Sequence, residues 1–218
     1  MAVNESESRA LQLVTKILAL GVDGLGPYKS ATEVAEEALN HHANPEFAIQ
    51  RLVATHRRWV TGTGFVTGVG GLALLPVTVP TDIATFYALC ARMSGATAVI
   101  RGYDVHSEEV RSAVLISLLG ASAAGVLGGI GVEVGTKTAA AMLKKLPGSV
   151  LIEINKKVGF RLLTKAGSKG TINLIKAVPV VGGGVGAGVN ALAINRIAKY
   201  ADGIFVPLES PNDPATSL

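Results

Sequence analysis

The chain has little charge, few aromatic residues and a single cysteine. Charged residues make up 17% of its 218 positions and aromatic residues 5%, whereas a charged fraction near a quarter is usual for soluble domains. No disulfide can form within the chain, which fits a reducing compartment, and we expect Cys90 to be a small core residue. The acidic, polar N-terminus predicts no secretory signal. These features favour a cytoplasmic location.

Catalytic and metal-binding patterns are missing as well. The histidines have no partners at metal-ligand spacing, and the chain has neither a Walker lysine nor a G-x-S-x-G turn. The glycine cluster at 182–188 resembles a dinucleotide-binding turn, but too few residues follow it for the helix and strand that such a site requires. We therefore predict a non-enzymatic protein with no catalytic residue, no metal ligand and no cofactor.

Small apolar residues are abundant, and they form three uncharged runs. The runs cover 59–81, 112–132 and 177–195, with 23, 21 and 19 residues. Each approaches the length that crosses a bilayer, about 20 residues, and glycine is common in membrane helices. Yet glycine, alanine, serine and threonine dominate them, and prolines interrupt two of the three. They therefore also suit the buried helices of a soluble bundle.

Periodicity and capping signals predict an all-α fold, a bundle of helical hairpins with Gly/Ala-rich packing faces. The first helix is expected over 5–21. A capping box at Ser30–Glu33 and a cap at Asn44 before Pro45 predict two further helix starts, and Ser107 predicts another. The spacing Gly125-x-x-x-Gly129 lets helices approach closely and would permit a homo-oligomer.

We expect the prolines at 76 and 80 to interrupt the third helix in a bend, with a new helix from about 82 to 101. The domain organisation follows from these elements. Residues 1–43 form N-terminal amphipathic and acidic helices, 44–205 the main helical domain, and 206–218 a disordered tail.

Positive charge is concentrated in 137–176, which holds nine bases and one acid, Glu153. Within it, 151–166 predicts an amphipathic helix with leucine and valine on one arc and cations on the other, a pattern typical of membrane-surface helices. Phe160 is the only aromatic residue in 137–176, and this scarcity of aromatic residues argues against nucleic-acid binding. The expected contacts with anionic lipid are Lys144, Lys145, Lys156, Lys157, Arg161, Lys165 and Lys169.

Three blocks, FVTGVGGLALLPVTVPTDI, RGYD and INKKVGFRLLTKAGSKGTINLIKAVPVVGGGVGAGVN, resemble the EcsC family over roughly 50–205. That family is named after a bacterial protein encoded beside the components of an ABC transporter, and it has no assigned molecular function. The resemblance implies a bacterial, helical, membrane-linked protein, and it carries over no functional residue. The matching positions, which we interpret as fold or interface positions, include Pro76, Pro80, Asp82, Gly102, Tyr103, Asp104, Asn155, Gly159, Pro179, Gly182 and Gly183.

The favoured function is that of a non-enzymatic protein at the inner face of the cell membrane. It would bind anionic lipid or a membrane protein through the basic helix and the Gly-rich apolar hairpins. The alternative is a soluble helical protein that binds an apolar small molecule or lipid between its hairpins, and this alternative predicts an enclosed apolar cavity. An unrecognised hydrolase is a more distant alternative.

Overall fold

The predicted all-α class is confirmed. A computed structural model describes residues 2–25, 28–69, 75–129, 143, 145–172 and 179–208, with side chains for 7–25, 28–61, 84–129, 143, 145–164 and 188–208. This part of the chain contains helices and turns but no strand. The helices are α1 (Ala2–Gly21), α2 (Ala31–His41), α3 (Pro45–Val69), α4 (Leu75–Ile100), α5 (Glu108–Ser117), α6 (Ala123–Gly128), α7 (Gly148–Ile172) and α8 (Pro179–Ile204).

Local side-chain chemistry sets three of the helix starts where the sequence predicts them. The Ser30 hydroxyl accepts from the Glu33 amide at 3.1 Å, and the Glu33 carboxylate accepts from the Ser30 amide at 2.7 Å. Asn44 Oδ1 accepts from the Phe47 amide at 3.0 Å, and Ser107 caps α5. Each cap satisfies an amide that has no partner inside its helix.

The predicted bend at the prolines is wrong, because α4 begins at Leu75 and includes both of them. The first four residues of a helix need no backbone N–H for hydrogen bonding, so Pro76 fits the first turn without loss. Pro80, the sixth residue, removes one hydrogen bond and does not end the helix. Asp82 therefore lies in the second turn of α4.

The second uncharged run is bent. A 3₁₀ turn at Gly120–Ser122 separates α5 from α6, and the two helices meet at 112°. Gly120 takes a φ of +55°, which a side chain would disfavour. Among the described residues, no single helix meets the length and hydropathy expected of a membrane span, although this bent pair meets them together.

The core surrounds α4, which packs against α1, α2, α3, α5 and α8. Small residues allow the helices to approach closely, as the sequence predicts. Gly95 of α4 faces Ala31 of α2, and a Cβ added at Gly95 would lie 2.9 Å from the Ala31 Cβ. Val14, Ile17 and Val34 belong to the same hydrophobic cluster as the α4 residues. The N-terminal helices thus share one core with the rest of the described chain.

Two sets of contacts show how α3, α4 and α8 run. The Asn190 side chain of α8 donates to the Val60 carbonyl of α3 at 3.3 Å, while Arg101 joins Glu46 near the start of α3 to Asp202 near the end of α8. Both α4 and α8 are therefore antiparallel to α3. The end of α3 and the starts of α4 and α8 lie together, and we call 59–69, 75–81 and 179–195 the uncharged end, because these residues carry no charge.

Residues 206–208, predicted to belong to a disordered tail, are bonded to the bundle. Tyr103 donates its hydroxyl to the Val206 carbonyl at 2.8 Å, and the Leu208 amide donates to the Arg101 carbonyl at 3.3 Å. The remainder of that predicted tail, 209–218, lies outside the described residues.

Candidate membrane-contact surfaces

The amphipathic character predicted for α7 is confirmed. Leu151, Ile154, Val158 and Leu162 are buried, with at most 3% of each residue exposed. The helix approaches α1 closely, because a Cβ at Gly159 would lie 2.5 Å from the Ala10 carbonyl oxygen. One face of α7 is therefore held by the core, and the opposite face is left for solvent or a partner.

The outer face of α7 combines apolar and basic side chains. Ile152 is 56% exposed and Phe160 is 51% exposed, and Lys156 lies midway between them. Positions four apart along a helix are neighbours, so these three form a continuous strip, beside which Arg161 is exposed. We call Ile152, Lys156, Phe160 and Arg161 the α7 strip.

Two of the expected lipid-contacting lysines already have partners. Lys156 lies 3.7 Å from a Glu7 oxygen. Lys157 lies 3.3 Å from Glu153 and donates to the Gly129 carbonyl at 3.0 Å. Exposed pairs of this kind contribute about 0–1 kcal/mol, so an anionic surface can displace them. Lys145 is exposed, as is Arg161, whereas the side chains of Lys144, Lys165 and Lys169 lie outside the described residues.

A second exposed surface, on α3, is missing from the sequence-based prediction. Trp59 is 47% exposed and Phe47 is 43% exposed, with the Arg51 guanidinium 5.2 Å from the Phe47 ring centre. Arg57 and Arg58 are also exposed. Trp59, the only tryptophan, begins the first uncharged run, so this basic and aromatic surface borders the uncharged end.

His56 precedes these two arginines in the sequence, but it does not share their exposure. His56 is fully buried, and its Nδ1 lies 3.0 Å from the Leu52 carbonyl. Burial lowers the pKa of the imidazole to about 4, so the ring is neutral at pH 7. The exposed positive charge of this segment comes from Arg57 and Arg58 alone.

Helix α8 adds exposed apolar side chains at the same level along the bundle axis as Trp59. Val189 is 43% exposed and Leu192 is 62% exposed, and both flank Asn190, which is bonded to α3 beside Trp59. The exposure of these two side chains depends on how α8 packs against α3, so it cannot be predicted from a run of uncharged residues in the sequence. The border of the uncharged end therefore carries tryptophan, arginine and aliphatic side chains together.

Several positions shared with the EcsC blocks have structural roles here. Gly102 has a φ of +86° and ends α4, Tyr103 packs against Phe205 with ring centres 5.4 Å apart, and Asp104 accepts from the His106 amide at 2.9 Å. The buried Asn155 Oδ1 has no hydrogen-bond partner among the described atoms. The remaining positions lie in helices: Pro76, Pro80 and Asp82 in α4, Gly159 in α7, and Pro179, Gly182 and Gly183 in α8.

In the described part of the chain, no group of three or more histidine, cysteine or acidic residues could hold a metal ion. Cys90 is buried, which raises the pKa of its thiol well above the usual range and keeps it protonated. Arg101 pairs with Glu46 and Asp202, and Asp104 is exposed.

Two cavities lined by described residues bear on the ligand-binding alternative. An open groove of about 450 Å³ runs along α1, with Leu11, Thr15, Ala19, Leu20 and Leu25 in its lining. A second cavity, of about 20 Å³, lies beside Arg92. The first is open and the second holds little more than one water molecule, so neither is the enclosed apolar cavity that the alternative predicts.

Comparison of the chain with protein-family profiles, with curated proteins and with solved structures finds no match.

Proposed function

We propose that this is a non-enzymatic protein that associates with the inner face of a bacterial cell membrane through anionic lipid. The observation that carries the proposal is the α7 strip, where exposed isoleucine and phenylalanine flank a half-exposed lysine on a helix whose other face is fixed in the core. Apolar side chains gain free energy in the acyl boundary, and each nearby cation contributes about 1 kcal/mol at an anionic surface.

The uncharged end would provide a second mode of contact with the membrane, by insertion into its hydrocarbon core. From Val60 to the end of α3 is nine residues, and from the start of α8 to Asn190 is eleven. At 1.5 Å per residue these segments are about 14 Å and 16 Å long, close to half of a hydrocarbon core of about 30 Å. Tryptophan and arginine favour the headgroup level, where Trp59, Arg57 and Arg58 would then lie.

The two surfaces are compatible in the fold. Only residues 173–178 separate the end of α7 from the start of α8, so the end of α7 lies within about 25 Å of the start of α8 in the uncharged end. The resemblance to the EcsC family rests on the sequence blocks, and we propose membership of that family on the same basis.

Flotation with liposomes tests the proposal. We expect the protein to float with anionic vesicles at low salt and to be released by high salt, with weak flotation on neutral vesicles. The double variant Lys156→Glu/Arg161→Glu should lose most binding, and Phe160→Ser should weaken it. Arg196→Glu/Lys199→Glu, the same change of net charge at two exposed positions on α8, is the matched control and should bind as the wild type does.

Three outcomes are informative. Salt-sensitive binding that the α7 variants abolish supports the surface contact. Salt-resistant binding to both kinds of vesicle shows that the uncharged end inserts. A protein that remains at the bottom of every gradient contradicts the proposal.

The groove along α1 favours a second candidate, in which the protein binds an apolar ligand. Its volume of about 450 Å³ lies within the range of small-molecule sites. Uptake of a fluorescent fatty acid that is insensitive to salt, and that Leu11→Gln reduces, is the result expected for this candidate. Uptake that Leu11→Gln leaves unchanged rules this groove out.

A further inference from the structure

Two buried arginines, Arg92 in α4 and Arg101 just after its end, lie nine residues apart with very different surroundings. The Arg101 side chain is 6% exposed and donates to both Glu46 oxygens at 2.9 and 2.8 Å and to Asp202 Oδ1 at 2.6 Å. It also donates to the carbonyls of Asp202 and Phe205. Arg101 shows what the fold provides for a buried guanidinium: two carboxylates and two carbonyls.

Arg92 is buried to the same extent without these partners. It is 5% exposed, and its one hydrogen bond to a described residue is from Nη2 to the Leu20 carbonyl at 3.3 Å. Its Nε, like that of Arg101, is buried with no acceptor among the described atoms. The Tyr28 ring centre lies 5.5 Å from its Cζ, and no ion pair in the described part of the chain includes Arg92.

This position is costly for a cation. Burial lowers the pKa of Arg92, but an arginine side chain in a protein retains its proton. An uncompensated buried charge is strongly unfavourable, and natural proteins balance such charges with a counter-ion or a hydrogen-bond network. The carbonyl and the tyrosine ring provide only partial dipoles.

A small cavity lies against this guanidinium. Its volume is about 20 Å³, and it is lined by Leu20, Tyr28, Thr85, Ala88, Leu89 and Arg92. A cavity needs about 10–15 Å³ on this measure to hold one water molecule, so there is room for one small particle. Tyr28 is 44% exposed, which places one wall of the cavity next to solvent.

We propose that this cavity binds one small monovalent anion, of the size of chloride, against Arg92. The positive charge, the lack of a carboxylate partner among the described residues and the mostly apolar walls favour an anion over water. The volume excludes a phosphate or a lipid headgroup. The site is separate from the α7 strip and does not depend on membrane binding.

Bromide is a direct probe of the site, because its anomalous scattering distinguishes it from water. Crystals of the wild-type protein soaked in bromide should show an anomalous peak within about 3.5 Å of an Arg92 nitrogen, a charge-assisted hydrogen-bond distance lengthened by the size of the ion. Water density with no anomalous signal in the cavity would overturn the proposal, and so would peaks at surface arginines only.

A stability measurement in solution gives an independent readout. Chloride should raise Tm by about 2–4 °C over gluconate at equal ionic strength, because an anion that binds only the folded state stabilises it. Arg92→Met should abolish the difference, and Arg196→Met, at an exposed position of α8, should retain it. Equal Tm values for the wild type in both salts would contradict the site. If Arg92→Met does not fold, the bromide experiment decides alone.

Discussion

Single side chains in this protein behave according to their depth in the bundle rather than their neighbours in sequence. His56, Arg57 and Arg58 are consecutive, yet His56 is fully buried and the two arginines are exposed. The imidazole bonds the Leu52 carbonyl within its own helix and packs 5.1 Å from the Trp59 ring. Desolvation therefore makes His56 a neutral core residue and a source of pH-dependent stability.

We expect stability to fall as the pH is lowered through the range in which the unfolded histidine gains a proton. The folded pKa of His56 is about 4, below the usual value of 6.5, so between these values the unfolded chain binds more protons. The free energy of unfolding should decrease by about 3 kcal/mol between pH 6.5 and pH 4. Urea denaturation across this range measures the decrease.

The matched variants for this prediction are His56→Leu and His41→Leu. The first removes the buried titrating group, so the slope between pH 6.5 and pH 4 should flatten. The second removes an exposed histidine and should leave the slope as in the wild type. A His56→Leu protein with an unchanged slope would show that other groups cause the acid sensitivity.

At the scale of elements, close contact between helices depends on a few glycines. Gly159 of α7 faces the backbone of Ala10 in α1, and Gly21 of α1 faces the Ala88 carbonyl of α4. By contrast, Gly125, in the GxxxG pattern of the second uncharged run, is exposed and would meet no described atom within 4 Å of an added Cβ. The GxxxG pattern therefore does not bring helices together within the described chain, and a homo-oligomer through it stays a prediction.

Gly159→Ala should destabilise the fold. The new Cβ would lie 2.5 Å from the Ala10 carbonyl oxygen and 2.9 Å from a Val14 methyl, so α1 and α7 must separate. Overpacking of this kind costs about 1–3 kcal/mol. Urea denaturation should show a lower midpoint with an unchanged m-value.

Gly188→Ala is the matched control for this prediction. An added Cβ at Gly188 meets no described atom within 4 Å, and the residue lies inside α8. Alanine is the better helix former there by about 0.5–1 kcal/mol, so this variant should be as stable as the wild type or more so. Equal losses in the two variants would mean that helix propensity, rather than the α1–α7 contact, governs Gly159.

At the scale of the whole molecule, the fold separates a charged end from an uncharged one. Arg101 joins α3, α4 and α8 at one end through Glu46 and Asp202. The same antiparallel arrangement brings the uncharged parts of these three helices, 59–69, 75–81 and 179–195, to the other end, bordered by Trp59 and Leu192. The proposed entry into one leaflet from one side would use this arrangement.

Trp59 reports whether that end enters a membrane. It is the only tryptophan and is half exposed, so its emission should shift to shorter wavelength on addition of anionic vesicles. Lipids brominated on their acyl chains should quench it if the border reaches the hydrocarbon. Quenching that is absent while flotation succeeds would limit the contact to the α7 strip.

Two variants with the same chemical change sharpen this test. Leu192→Lys puts a charge at the border of the uncharged end and should reduce the emission shift. Leu25→Lys puts a charge at an exposed position after α1, where the side chain is 61% exposed, and should leave the shift unchanged. Equal effects of the two would show that net charge, and not position, controls the binding.

The proposed contact surfaces show what hydrophobic periodicity in the sequence can predict and what it cannot. The buried arc of α7 follows from the spacing of Leu151, Val158 and Leu162, because one helix turn determines which side chains share a face. Spacing within a helix does not predict that Ile152, Phe160 and Trp59 are exposed, because exposure also requires that no other helix covers the side chain. The uncharged run at 112–132 likewise does not reveal its 112° bend.

By itself, the sequence determined the helical class and the helix starts at Ser30, Asn44 and Ser107, because caps act through groups within three or four residues. Only the tertiary structure decided the partners of Arg101, which lie 55 and 101 residues away, the burial of His56, and the burial of Arg92 with no carboxylate partner among the described residues. The physical reason is the distance along the chain over which each kind of interaction acts. Local hydrogen bonds are set by chain connectivity, whereas burial and ion pairing depend on which helices pack together.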